Sequence, residues 1–448
     1  VLRDLGVLRN GRAFAISLFL IFLLSTPLLA AEPGSPDRLT LKEAVETALR
    51  QHPTLLAARG FSRAQEARVG EVKAGLYPHL NFTADYRRAT ANFTPSSQSG
   101  SSLNRFFTGT ENSNSSFDNY TAALSLQQLI YDFGKTGADI EAAKNTLQGT
   151  RWDEETSRRA VVLNVKVAYF GLLQARRLVL VNEETVRQFE EHLRQSGGFF
   201  KAGTRPKFDV TKAEVDLTNA QLNLIKARNA AEVARVALVN AMGVPDRPIG
   251  EIEDLLSFEK FKITQEEVLE EALRERTDLL SLSAKRQSAA AQVRSVRRSY
   301  FPVLSGSADY TYRGQDFPLV WNWDIGLNLT FPLFSGFQTK SQVAEARANL
   351  EASQANEEVL RQAIFLEVRQ DYLNLSEAEE RVRTSDIVVR QAEENLALAN
   401  GRFQAGVGTS VERTDAQVTL ANAKTTQVQA LYDYRVSEAN LEKAMGRE

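Results

Sequence analysis

Two hydrophobic periods run along this chain, one of two residues and one of seven. From Trp321 to Phe331 every second residue is apolar: Trp321, Trp323, Ile325, Leu327, Leu329 and Phe331. Asn322, Asp324, Gly326, Asn328 and Thr330 lie between them. Such alternation predicts a strand with one apolar and one polar face. Three other stretches obey the same rule. Leu80, Phe82, Ala84 and Tyr86 oppose Asn81, Thr83, Asp85 and Arg87. Tyr120, Ala122, Leu124 and Leu126 oppose Thr121, Ser125 and Gln127. Leu304, Gly306, Ala308, Tyr310 and Tyr312 oppose Ser305, Ser307, Asp309, Thr311 and Arg313. The predicted strands cover about 79–89, 119–132, 303–313 and 321–333. Each has about 10 residues, enough to cross a bilayer at a tilt. A half-buried sheet in a soluble domain alternates in the same way. Tyr86, Tyr310, Tyr312, Trp321, Trp323 and Phe331 favour the membrane, because aromatic residues gather at its interfaces.

The period of seven belongs to long helices. Val165, Leu172, Val179, Val186 and Leu193 repeat every heptad, with Ala168, Ala175, Asn182 and Phe189 between them. Val368, Leu375, Val382, Val389 and Leu396 repeat in the same way. No Pro interrupts these stretches, so helices of roughly 100 Å are expected over about 134–201 and 337–404. Return helices follow over about 206–242 and 411–445. In the first, Val210, Leu217, Leu224, Ala231 and Leu238 alternate with Ala213, Ala220, Ala227, Ala234 and Ala241. Sustained heptads imply left-handed coiling, and the small Ala series permits close approach.

The chain is also written twice. "LTLKEAVETAL" from Leu39 matches "ITQEEVLEEAL" from Ile263, and "LYPHLNFTADY" from Leu76 matches "YFPVLSGSADY" from Tyr300. "FFKAG" ending at Gly203 matches "RFQAG" ending at Gly406. The first copy carries extra Ser-, Asn- and Thr-rich residues between Tyr86 and Tyr131, which read as a polar loop. The expected organisation is a first repeat at 39–245, a linker at 246–262 and a second repeat at 263–446. Each repeat is expected to run helix, strand, loop, strand, long helix, turn, return helix.

Composition narrows the function. The formal net charge is −2, without the basic excess of a nucleic-acid binder. Cys is absent, which excludes disulfides, thiolate metal sites and Cys nucleophiles. His52, His79 and His192 form no metal-ligand spacing and read as surface or packing residues. Arg3, Arg9 and Arg12 precede an apolar run and "TPLLAAEPGSP", which together resemble an export signal over 1–31. An uncleaved anchor is the other reading. "YDFGKT" lacks the glycine a phosphate-binding loop needs, since that position is Leu129. No catalytic constellation emerges, and no enzyme, cofactor or metal is expected.

Four strands leave unpaired edges, which hydrocarbon does not tolerate. The sheet is therefore expected to close with other copies. The duplicated order resembles the TolC-type outer membrane efflux protein family. "YFP" before a strand, "IYDFGKT" and "LFSGFQT" before the long helices, and the turns "FKAGTRPKFDV" and "FQAGVGTSVERTDA" carry the resemblance. It implies a mixed, mainly α fold in a homotrimer. A twelve-stranded barrel would span the outer membrane lipid, and coiled hairpins would form a periplasmic tunnel. It further implies passive export in tripartite efflux or type I secretion, with a periplasmic adaptor and an inner-membrane transporter as partners. A non-channel periplasmic coiled-coil adaptor or scaffold is the alternative reading of the helices.

By resemblance, Glu412 and Asp415 match an acidic ring at the tunnel tip, and Asp209 an aspartate of the facing turn. The same carboxylates also suit ordinary helix starts. The family often has Arg where this chain has Gly408, so Arg205 and Arg413 become candidates for the tip contacts. Gly203, Thr204, Gly406, Val407, Gly408 and Thr409 form the turns that meet the adaptor in the family. They also serve as plain turn residues.

Overall fold

A computed structural model describes residues 38–90, 116–245 and 248–447. The expected export segment at 1–31 and the centre of the polar insertion lie outside the described residues. The first copy contains α1 (Leu41–Gln51), α2 (Pro53–Ala74), β1 (His79–Thr90), β2 (Ser116–Tyr131), α3 (Lys135–Lys201) and α4 (Lys207–Ala241). The second contains α5 (Gln265–Glu275), α6 (Thr277–Arg298), β3 (Val303–Gly314), β4 (Val320–Thr330), α7 (Gln338–Gln404) and α8 (Ser410–Met445).

Where one helix was expected before each first strand, there are two. Their starts are matched capping boxes. Thr40 and Thr264 accept from the backbone N–H of Glu43 and Glu267, whose carboxylates bond back. The break between α1 and α2 falls at His52, because Pro53 forces the preceding residue out of helical geometry and then opens the next helix. The second copy has no proline there. Arg276 makes the same break, 6% exposed, clamped by Asp278 at 2.7 Å and Glu367 at 2.5 Å. Burial pushes both carboxyls up, but their bonds to Arg276, and to Lys443 for Glu367, outweigh it and hold both below the usual carboxylate range.

The strand-to-helix corners need two consecutive left-handed residues. Phe133 and Gly134 have φ of 57° and 85°, while Gly336 and Phe337 have 61° and 66°. Each copy places glycine at one position and phenylalanine at the other. A non-glycine residue in that region costs about 1–2 kcal/mol.

The long helices hold 67 residues each. Their seams are buried at Val165, Leu172, Val186 and Phe189 in α3 and at Val368, Leu375, Val382, Val389 and Leu396 in α7. Ala213 and Ala220 of α4 are buried against α3. Two apolar cores sit where the short helices meet the long hairpins. One gathers Val165, Tyr169 and Leu172 with Ala44, Ala48, Leu238 and Met242. The other gathers Ile364, Val368 and Leu375 with Val268, Tyr434 and Leu441. The Tyr169 hydroxyl donates to the carbonyls of Leu39 and Glu253, both at 2.9 Å, and Tyr434 donates to Glu259, so these phenols fasten the inter-repeat segment.

The elements stand in rows. The sheet order is β1-β2-β3-β4, all antiparallel. Near the sheet α2 packs on α3, α3 on α6 and α6 on α7. Farther away α4 packs on α3, α3 on α8 and α8 on α7. At every level the chain is an open wall, ending in β1 and β4, in α2 and α7, or in α4 and α7.

Candidate functional site

The strand register turns local alternation into two continuous faces. Phe82, Leu124, Tyr310 and Trp323 stand side by side, as do Leu80, Leu126, Ala308 and Ile325, and Ala84, Ala122, Tyr312 and Trp321. The opposite face aligns Asn81, Ser125, Asp309 and Asp324. A slip of one residue in any pair would mix the faces. The apolar side is solvent-exposed in the single chain; Ile325 and Leu327 are 76% and 75% accessible. A row of exposed aliphatic side chains in a regular sheet requires an apolar solvent or a covering partner.

Aromatic rings collect at both ends of this sheet. Tyr86 lies 5.0 Å from Tyr120, which lies 5.1 Å from Phe317. Tyr310 stacks on Trp321 at 6.3 Å and meets Tyr312 edge-on at 5.4 Å. At the end nearer the helices, Tyr131, Phe133 and Phe301 follow one another at 4.8 and 5.4 Å, and Phe331 lies just beyond β4.

The hairpin tips form the second region. Gly203 and Gly406, with φ of 71° and 77°, end α3 and α7 in left-handed turns. Thr204 donates to the Phe199 carbonyl from both its N–H and its hydroxyl. Thr409 caps α8 by accepting from the Glu412 N–H at 3.1 Å. Thr204, Val407 and Thr409 are exposed, but Gly408 is buried. A Cβ there would lie 2.9 Å from the Phe403 nitrogen, so the close backbone approach at this position suits glycine.

The two turns are tied together around Phe403, which is 2% exposed. The Arg205 guanidinium lies 5.1 Å from its ring and donates to the Gly408 carbonyl at 3.0 Å. Arg413 lies 5.3 Å from the same ring and donates to Gln195 at 2.5 Å. Arg413 is 6% exposed, so it is a strut between α3 and α8 rather than a free charge at an opening. His192 completes the hub, fully buried, with Nε2 3.1 Å from Ser410 Oγ and its ring 5.8 Å from Phe403. Burial, with Arg413 beside it, lowers its pKa to about 4.

The carboxylates divide. Asp209 is largely covered and faces Arg205 at 4.0 Å. Glu412 is half exposed and pairs with Arg402 at 3.5 Å. Asp415 is exposed, and among the described residues no ion pair or hydrogen bond reaches its carboxylate. Phe403 does not stand out in the sequence, and His192 reads there only as a surface or packing residue. The repeat match of Phe200 to Phe403, three residues before each turn glycine, was the available signal for the first. The burial of His192 comes from α8 and left no local trace.

A sheet with one continuous apolar face, set on long coiled hairpins, defines a membrane channel with its helical part outside the bilayer. The chain belongs to the outer membrane efflux protein family, whose model matches residues 44–244 and 268–447. It is similar to the outer membrane protein TolC of Escherichia coli strain K12, 23% identical over 429 residues, covering 91% of this chain and 82% of that protein. It is similar to the alkaline protease secretion protein AprF of Pseudomonas aeruginosa, 25% identical over 337 residues, covering 72% and 69%. Among solved structures, the Campylobacter jejuni outer membrane channel CmeC superposes with a TM-score of 0.75 at 21% identity, covering 91% of this chain and 85% of that one. The protein is therefore an outer membrane efflux or secretion channel of the TolC type, with periplasmic helices, and it is not an enzyme. The coiled-coil scaffold reading falls with that assignment, since it leaves the two-faced sheet without a purpose.

Proposed function

We propose that three copies of this chain close into a twelve-stranded barrel and a helical tunnel, serving as the passive exit duct of an export assembly. The observation that carries this reading is the open wall with free edges at every level. Hydrocarbon does not tolerate unpaired strand edges such as β1 and β4. The edge helices also expose apolar stripes: Val215, Leu222, Ile225, Val233 and Val236 on α4, and Val359, Leu366, Leu373 and Leu398 on α7. Two copies would give eight strands, whose interior side chains fill; three leave a passage. The polar face, with Asp309 beside Asp324, suits a wet lumen.

The tip is the proposed gate. Three copies of Asp415 and Glu412 around one axis would make a negative constriction favouring cations. The exposed turns at Thr204, Val407 and Thr409 are the proposed adaptor contacts. An adaptor and an inner-membrane transporter would open the tip by loosening the Arg205 to Gly408 tie, and cargo would diffuse outward. Mass determination in detergent should give a trimer, and planar bilayers should show small, cation-biased conductance. Asp415→Ala should weaken that bias more than Glu412→Ala, because Arg402 already offsets Glu412. A monodisperse monomer without conductance would refute the duct, and unchanged selectivity in the double variant would refute the gate.

A further inference from the structure

The corner where strands become helices carries a cation cluster that transport leaves unused. The end of α6 supplies Arg294, Arg297 and Arg298, and the start of α7 supplies Lys340 and Arg347. With Tyr300 and Phe301 they border a groove of about 820 Å³ that no carboxylate lines. Arg294 is paired with Glu141 at 2.7 Å, and Arg298 donates to the Phe133 carbonyl. Arg297, Lys340 and Arg347 are exposed, and among the described residues none has an ion pair. Like charges gathered without counter-charge repel, so an anion placed among them is favoured. The groove on the opposite side of α6 differs: Asp139 and Glu345 there offset Lys135 and Lys285. The positive excess is therefore confined to one side.

Its position indicates which anion. Tyr131 pairs in register with Leu304, and Leu304 with Leu329, so the groove lies at the foot of the apolar sheet face. The rings of Tyr131, Phe133 and Phe301 lead from that face into the groove. Phe337, 66% exposed, stands beside Lys340, whose Nζ is 6.0 Å from its ring. Aliphatic side chains, then rings, then cations is the order of a bilayer's hydrocarbon, interface and anionic headgroups.

We propose that this groove binds the phosphate of an anionic phospholipid in the leaflet nearest the helices. Arg297, Lys340 and Arg347 neutralise the headgroup, and Tyr300 and Phe301 pack on the first carbons of its chains. This rests on the apolar sheet face meeting lipid. The test is native mass spectrometry of the full chain in detergent, titrated with phosphatidylglycerol or phosphatidylcholine. The wild type should retain phosphatidylglycerol at least about tenfold better, each cation near an anionic surface being worth a several-fold gain. Arg297→Gln, Lys340→Gln and Arg347→Gln together should remove the preference, and excess inorganic phosphate should not displace the lipid. Equal retention of the two lipids, an unaffected triple variant, or displacement by phosphate alone would overturn the proposal. If the triple variant does not assemble, salt decides with wild type alone. At about 1 M, where charges are screened within about 3 Å, the preference must vanish, and its persistence overturns the idea. Bilayer conductance is read separately: its absence in wild type would sink the duct, whereas normal conductance without lipid preference would sink only this site.

Discussion

At Gly408 a methyl group would stand 2.9 Å from the Phe403 nitrogen and 3.0 Å from the Arg402 carbonyl carbon. Neither backbone atom can yield cheaply, so Gly408→Ala should cost about 1–3 kcal/mol at the tip. The expected readout is a more conductive resting channel and faster proteolysis of the turn at residues 405–409. His192 makes a second residue-scale prediction. It projects from α3 against Phe403 of α7 and Ser410 of α8, with Arg413 and Lys212 opposing its protonation and Asp216 favouring it. Glu191 lies close enough to act on Arg413. Because the folded pKa, about 4, lies below the ordinary 6.5, the contribution of neutral His192 is complete above 6.5. It is lost as pH falls towards 4. His192→Gln should flatten this part of the melting-temperature profile between those values; an unchanged profile would remove His192 from the account. From the sequence His192 reads as a surface or packing residue; that α8 covers it is not visible there. That contact joins residues 218 positions apart.

Elements were the most legible scale. Period and length specify a strand or a coiled helix locally, and Gly203 and Gly406 mark the ends of α3 and α7. The division of the short helices was less visible. His52–Pro53 announces it in the first copy, whereas the second relies on the ion cluster around Arg276. The small-residue seam of α4 gives a direct test. Ala220→Leu adds volume at a position 5% exposed, and should cost about 1–3 kcal/mol by splaying α4 from α3. A thermal midpoint equal to wild type would mean the hairpin tolerates that separation. Tyr169→Phe removes the donor for the Leu39 carbonyl and for the Glu253 carbonyl of the inter-repeat segment, and should cost about 1–3 kcal/mol. Burial pushes this phenol up to about 12, so it remains a donor throughout the working pH range.

For the whole molecule, membrane insertion depends on the continuous apolar face. Ile325 lies midway along β4 on that face. Ile325→Lys should cost about 2–4 kcal/mol at the bilayer midplane. Asn322→Lys, on the polar face, should insert normally. Fractionation of outer membranes separates the outcomes, and equal insertion would mean the assigned faces are reversed or irrelevant.

The sequence by itself determined the duplication, the four alternating strands, the coiled seams and the turn glycines, because each is a local periodicity or a backbone requirement. Only the tertiary structure decided how the copies differ. The long helices α3 and α7 share one pattern, yet α3 stands inside the row and α7 at its edge. Their return helices exchange those places: α8 is interior and α4 is exposed. Phe200 is accordingly 44% accessible, while its counterpart Phe403 is buried beneath two guanidinium groups. A heptad specifies that a seam must be covered, not which helix covers it. That choice is set by contacts between residues hundreds of positions apart, where two similar repeats meet through unlike faces.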